Sequence, residues 1–357
     1  MKVGIVTFHF VNNFGGALQA YALQNCVSRE CNVETVIVDY RNPFIRFTDT
    51  IRLFPITTNP KEFMSGLRTI NKRLQRWKKF KFFWKDYYHL TKPYVTAGGI
   101  KQNSPGCDAY ICGSDQIWNP IITAGIDGTY FLDFEPGKKK VSYAPSFGTS
   151  KINEKQEKKI QKYLMSFQAL SVREQEGIHR LQKMTGKEAE RLIDPAFLMT
   201  KEEWSRVAVS PKNKGKYILL YIMQRDEGVY QYARRLKEQL GLPLVEISRY
   251  GLKYDFVDEC VMDIGPAEFV GWFEQAEYVC TNSYHGLIFS VIFGKQLCLI
   301  PCLRFGTRIN NLLGLLQAKL REDFVVEFPK EAVLQEIILK EREKSFQYLK
   351  NNISEKE

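Results

Sequence analysis

Residues 281–286, Thr-Asn-Ser-Tyr-His-Gly, set one of the chain's four histidines directly ahead of an apolar run, LIFSVIFG. The patterning predicts a strand over YVCTN and a helix over the apolar run, so His285 falls at a strand-to-helix junction. The first amides of a helix lack internal partners, and its N-terminus carries partial positive charge. Such a junction suits an anion, with a titratable imidazole on its rim, polar Ser283 and Tyr284 beside it and Gly286 allowing a ligand close to the backbone. Ordinary helix capping uses the same residue types, and both readings stand at this point.

Other candidates sit where strands are expected to end. Arg173, in ALSVREQEG, has the planar fork that recognises carboxylates and phosphates, or it pairs with Glu174 or Glu176. GSDQIWN puts Asp115 and Trp118 together; an exposed indole beside Asp and Asn suits a sugar, and a core Trp with Asp115 capping a turn is the alternative. NNFGG offers Asn12, Asn13 and the Gly15 and Gly16 amides to a ligand, and Asp39 ends the next strand. Two adjacent glycines do not make the three-glycine dinucleotide turn, so an NAD site is not expected. His9 ends the first strand, and Arg304 and Arg308 follow the last.

The elements that must position these residues form two series. KVGIVTF, VETVIVDY, DAYICGSD, KVSYAPSFG and ALSVREQEG read as strands, with GGALQAYALQNCVSR and GIHRLQKMTG as helices. After DPAFLMTKEEW a second alternation begins with YILLYIM and ends with QLCLIP. Two strand–helix series in 357 residues predict an α/β protein of two Rossmann-like parallel-sheet domains. The expected divisions are residues 1–195, 196–328 and a helical tail, 329–357. Ligands of such sheets lie beyond the carboxyl ends of the strands, where all the candidates fall.

Composition narrows the classes. With 44% hydrophobic and 25% charged residues, no apolar stretch of bilayer length and no export signal, a cytoplasmic protein is expected. Eight scattered cysteines include no C-x-x-C pair, so neither a disulfide framework nor a metal site is expected. The net charge of +11 is concentrated: Arg68, Lys72, Arg73, Arg76, Lys78, Lys79, Lys81 and Lys85 come with no acid between them. They belong to a basic, aromatic-rich insert of about residues 43–100 within the first domain, where Leu67, Ile70, Leu74, Trp77 and Trp84 recur at helical spacing. That pattern fits peripheral contact with the inner face of a membrane through residues 67–85, or a packed helix with a solvated basic face. No nucleic-acid-binding module accompanies it.

Taken in order, NNFGGALQAYAL, GSDQIWNP, YAPSFG, SVREQEG, IDPAFL and TNSYHGLIFSVIFGK resemble the polysaccharide pyruvyl transferase family over most of the chain. The resemblance implies a GT-B-like fold with the active cleft between two domains, the first on the acceptor side and the second on the donor side. It implies transfer of the enolpyruvyl group of phosphoenolpyruvate to a sugar, or to an undecaprenyl-linked oligosaccharide, forming a pyruvate ketal and releasing phosphate without metal or organic cofactor. His285 matches the family's general acid and Arg173 an arginine holding the donor, while Asp115 would orient or deprotonate an acceptor hydroxyl. One position departs: the family arginine two residues before the histidine is Ser283, leaving Arg308, Arg304 or the amides after Gly286 to replace it. A nucleotide-sugar glycosyltransferase on the same fold is the alternative. Its ribose-binding glutamate would stand five residues before Gly294, where this chain has Phe289. A non-catalytic binding protein is the third reading.

Overall fold

The computed structural model describes residues 1–51, 53–54, 60–148, 151–212, 215–224, 226–248, 251, 254–300 and 306–354. The chain divides into two compact units, one of residues 1–50, 84–199 and 339–357 and the other of residues 51–83 and 200–338. Residues 51–83 thus group with the second unit, whereas the sequence assigned the whole insert to the first domain.

In the first unit β1 (Lys2–Val6), β2 (Glu34–Ile37), β3 (Ala109–Cys112) and β4 (Lys139–Ser142) form a parallel sheet in the order β2-β1-β3-β4. The parallel pair β5 (Ser171–Val172) and β6 (Glu190–Arg191) follows. The AYIC sequence of β3 is wholly buried, as expected of a strand covered on both faces. Helix α1 (Phe14–Cys31) makes the first crossover; Asn13 caps its start, and Asn32, at φ 51°, ends it in the left-handed conformation. The insert contributes α2 (Pro43–Ile51), α3 (Pro60–Arg68), α4 (Ile70–Tyr87) and α5 (Ala97–Gln102), and α6 (Glu154–Leu164) and α7 (Gln175–Thr185) follow β4 and β5.

Helix α8 (Lys201–Val207) opens the second sheet unit. Strands β7 (Ile218–Tyr221), β8 (Leu244–Ile247), β9 (Glu259–Val261), β10 (Tyr278–Thr281) and β11 (Gln296–Leu299) are parallel in the order β11-β10-β7-β8-β9. Helices α9 (Glu227–Leu240), α10 (Pro266–Gln275), α11 (Tyr284–Ile292) and α12 (Gly306–Leu315) belong to the same unit. The small antiparallel pair β12 (Lys319–Leu320) and β13 (Val326–Glu327) completes it. Helix α13 (Glu331–Ile353) carries the chain back to the first unit, where the Tyr348 hydroxyl donates to Ser142 O at 2.9 Å and Arg342 Nε to Phe197 O at 2.9 Å. Two Rossmann-like α/β units are what the sequence predicted, but residues 51–83 and 339–357 interleave them along the chain.

Helix α4 corrects one expectation. The predicted apolar stripe contained Leu74 and Trp77, but the buried positions are Arg76, Phe80 and Phe83. Both stripes have helical spacing; the face with two phenylalanines removes more apolar area from water and is the one packed. Leu74 and Phe82 are left exposed. Two glycines of the second unit accommodate the insert: a Cβ on Gly251 would meet Thr69 Cγ2 at 2.8 Å, and one on Gly265 would meet Lys79 Cβ at 2.9 Å. Lys79 also pairs with Glu268 of α10.

Candidate functional site

In the second unit the polar cluster 281–286 is built around Thr281, the last residue of β10. Its hydroxyl donates to Tyr221 O at the end of neighbouring β7 and accepts from Ser283 N at 3.0 Å. Asn282 ties the same two loops, accepting from Met223 N at 2.8 Å and donating to Gln224 O at 2.7 Å. Ser283 caps α11, its hydroxyl accepting from Gly286 N at 3.2 Å. His285 therefore sits in the first turn of a helix whose start is fixed by five side-chain hydrogen bonds across Thr281, Asn282 and Ser283. Thr281 and Asn282 were named in the polar stretch 281–286 but given no role; their place between a strand end and a cap is the signal that could have assigned one.

His285 is 9% exposed, and the Tyr284 ring stands edge-on to it at 5.4 Å between centroids. Arg308, on α12, places its guanidinium carbon 5.7 Å from the centroid of Tyr284. An imidazole, a phenol and a guanidinium are thus gathered through one aromatic ring. Such an arrangement orients a cation by its attraction to the ring face, and can offer charge to an anion and a proton to a reacting atom.

Gly286 has a different use from the expected one. A Cβ there would meet Thr281 Oγ1 at 2.4 Å, so the glycine lets α11 start against its own strand rather than admitting a ligand. The amides proposed to replace the missing arginine are also engaged: Gly286 N by Ser283 Oγ and Leu287 N by Ser283 O. Arg304 lies outside the described residues, and Arg308 lies beside Tyr284. Phe289, at the glycosyltransferase glutamate position, is fully buried with Trp204 at 5.1 Å and Phe269 at 5.7 Å between ring centroids.

The first unit assembles a second cluster by buried serines and one glutamine. Gln19 of α1 donates to Thr7 Oγ1 at 2.9 Å and to Gly16 O at 3.0 Å, and accepts from Ser114 N at 3.1 Å, joining the loops after β1 and β3. Ser114 Oγ donates to Ala144 O at 2.7 Å, and Ala144 N to Ser171 Oγ at 3.0 Å, joining β3, β4 and β5. On this framework Asp115 is held with φ at +62°, its carbonyl accepting from Ser146 N at 2.8 Å. A left-handed aspartate costs conformational energy and is retained only where its surroundings fix it. A Cβ on Gly16 would lie 3.7 Å from Asp115 Oδ2, which places the carboxylate beside the start of α1.

Arg173 is in the same cluster, and its visible partners are carboxylates. It donates to Asp194 Oδ2 at 2.7 Å and to Glu174 Oε1 at 3.3 Å, with Asp115 Oδ1 3.8 Å away. The guanidinium is nearly inaccessible and the Asp194 side chain fully so, and Asp194 in turn caps Ala196 N at 3.0 Å. The salt-bridge alternative is therefore what the first unit contains, with Asp194 as the strongest partner. A trianion brought to Arg173 would meet three carboxylates there.

Trp118 does not present a face to sugar. It is 1% exposed, lies parallel to Phe131 at 5.3 Å and donates from Nε1 to Tyr130 O at 3.1 Å. Its large apolar surface outweighed the polar neighbours that suggested exposure. Asn13 is occupied as the α1 cap, accepting from Gly16 N at 3.1 Å, and Gly15 and Gly16 are buried in the first turn. Asn12 is half-buried, its amide bonded to Asp49 Oδ2 at 2.9 Å. His9 and Asp39, both buried, are joined at 3.0 Å, and Arg41 adds a two-pronged bond to Asp39 at 2.8 and 2.6 Å. Burial by itself would raise the Asp39 carboxyl, but the His9 and Arg41 hydrogen bonds prevail and hold it at about 2.

Among the described residues no group of histidine, cysteine and carboxylate side chains is arranged to hold a metal ion, and no helix is long and apolar enough to cross a membrane. No curated protein matches the chain in sequence. Solved structures similar to it include the UDP-GlcNAc 2-epimerase of Neisseria meningitidis bound to UDP-GlcNAc, at 11% identity over 99% of this chain and 94% of that one, with a TM-score of 0.49. The N-terminal domain of Candida albicans trehalose-6-phosphate phosphatase is similar at 10% identity over 99% and 98%, with a TM-score of 0.48. A Streptomyces glycosyltransferase complexed with thymidine diphosphate is similar at 10% identity over 99% and 95%, with a TM-score of 0.39. The profile of one sequence family, polysaccharide pyruvyl transferase, matches residues 13–302, a span that holds Asp115, Arg173 and His285. A match over so much of the chain assigns it: the protein belongs to the polysaccharide pyruvyl transferase family.

Proposed function

We propose that the protein transfers the enolpyruvyl group of phosphoenolpyruvate to a sugar of a bacterial surface polysaccharide or its lipid-linked precursor, closing a pyruvate ketal and releasing phosphate. The observation that carries this reading is the grouping of His285, Tyr284 and Arg308 at the end of β10 in a member of this family.

Phosphoenolpyruvate carries about three negative charges, and Arg308 supplies a fixed cation to receive part of them. His285, in its protonated form, gives its proton to the methylene carbon and makes the adjacent carbon electrophilic. One sugar hydroxyl adds there, the carbon–oxygen bond to phosphate breaks with its electron pair, and a second hydroxyl closes the ketal. Of the two hydroxyl protons, one restores the imidazolium and the other leaves with phosphate. Asp115, held rigidly on the first unit, is assigned to an acceptor hydroxyl. Arg173 acts through it: as the counter-cation of Asp115 and Asp194 it is a positioning residue here rather than a donor ligand. No metal or organic cofactor enters the scheme.

The test is phosphate release from phosphoenolpyruvate against a panel of galactosides, mannosides and N-acetylmannosamine glycolipids. Thermal shifts with phosphoenolpyruvate and with UDP- and GDP-sugars accompany it, because a ligand of the folded state raises its melting temperature. Stabilisation by phosphoenolpyruvate alone is expected. Stabilisation by a nucleotide sugar alone would replace this reading with a glycosyltransferase, and the buried Phe289 speaks against that outcome.

A further inference from the structure

Helix α4 presents an unusual outward face. Leu74, Lys78 and Phe82 follow one another at i, i+4 and i+8, all exposed, with exposed Lys81 and Lys85 beside them. Phe82 is 63% exposed and Leu74 40%. The preceding helix adds Phe63, Met64 and Leu67, also exposed. The opposite face of α4 is spent on packing through Arg76, Phe80 and Phe83, and Lys79 is spent on Glu268. Lys81 lies over Trp77, its ammonium 3.6 Å from the ring centroid, which turns that indole toward a cation.

Exposed aromatic and aliphatic side chains interleaved with cations are costly on a surface that meets only water. Residues 68–85 hold eight cations and no acid, so an acidic protein or a bilayer complements them far better than a second copy of the same basic face. The apolar side chains choose between those two. Those of α4 are spread singly among lysines along the helix, which is how helices lie in the headgroup layer: rings and aliphatic tips inserted, ammonium groups at the phosphates.

We propose that the outward face of α4, centred on Leu74, Lys78 and Phe82, docks on an anionic bilayer surface. This goes beyond the transfer reaction and does not depend on it. Near such a surface each lysine contributes about five-fold to binding, and the effect fades over a Debye length. The experiment is cosedimentation of the full chain with vesicles of phosphatidylcholine alone and with about 30% phosphatidylglycerol, at low and high salt. Binding to the anionic vesicles, weakened by salt and at least ten-fold stronger than to the neutral ones, is expected. Lys78→Glu with Lys81→Glu should abolish it, and Leu74→Ser with Phe82→Ser should reduce it at least ten-fold at an unchanged melting temperature, since both positions are exposed. Absence of vesicle binding, equal binding to both vesicle types, or undiminished binding by the Leu74→Ser/Phe82→Ser protein would overturn the proposal. So would a concentration-dependent dimer abolished by Phe82→Ser in a protein that ignores vesicles, which would give the face to a second copy.

Discussion

The carboxyl ends of the two sheets carry the candidate residues, and the groups seen beside their cations differ. At the edge of the first unit Arg173 is met by Asp194, Glu174 and Asp115, and Arg41 by Asp39. At the edge of the second unit Arg308 faces the ring of Tyr284, and the groups that fix the loop around His285 are hydroxyls and an amide. A carboxylate neutralises a guanidinium beside it, whereas an aromatic face orients one. On this comparison a cation of the first edge should govern stability and one of the second should govern substrate. Substitutions can separate the two.

The largest effect is expected at His285. His285→Ala should lower phosphate release from phosphoenolpyruvate by about 10²–10⁴, the usual worth of a positioned general acid, while leaving the melting temperature nearly unchanged. Turnover at the wild-type rate would remove the imidazole from the chemistry and leave the second edge without its central assignment.

Next comes Arg173→Ala, which sharpens the contrast from the other side. It removes the cation beside the fully buried Asp194 and loosens Asp115, and breaking a buried pair from one side costs about 3–5 kcal/mol. Denaturant unfolding should register that loss. If instead stability holds and only the KM for phosphoenolpyruvate rises, Arg173 contacts the donor and the division between the edges fails.

Asp39 gives a smaller and pH-dependent effect of the same structural kind. Its folded carboxyl is held at about 2, below the ordinary 3.8, so the folded state gains stability wherever the unfolded chain would bind a proton that the folded one refuses. That contribution is about 2 kcal/mol, is complete above pH 3.8, and is lost as pH falls toward 2. Asp39→Asn should therefore unfold more easily at neutral pH and show a shallower further loss across that acid window, read by denaturant titration at several pH values.

How much of this was legible beforehand differs between the edges for a physical reason. The strand–helix alternation follows from buried strand runs and intervening helices, which periodicity reports directly, and the junction at His285 was marked by a cap residue before an apolar helix. What periodicity cannot report is which of two amphipathic faces wins, as in α4, or whom a buried polar group meets across the fold. Asp194 is twenty-one residues from Arg173, and Gln19 ninety-five from Ser114; nothing local announces either pairing. Trp118 failed for the complementary reason: its polar sequence neighbours are not its spatial ones, which are Phe131, Phe147 and Phe167.

The smallest expected effect discriminates most sharply, because it tests whether Arg308 stands in for the family arginine that Ser283 replaces. Arg308→Ala should raise the KM for phosphoenolpyruvate about ten- to hundred-fold, the range of one charge-assisted contact, with kcat and melting temperature little changed. Arg308→Lys keeps the charge but loses the guanidinium's contact with the Tyr284 ring, so it should recover part of the KM and not all of it. Tyr284→Leu, which removes the ring but not the cation, should resemble Arg308→Lys if the ring's work is to aim the guanidinium. Should Arg308→Ala instead lower stability with KM intact, Arg308 would behave as Arg173 is expected to, and the opposition between the two edges would dissolve into a single structural role for both.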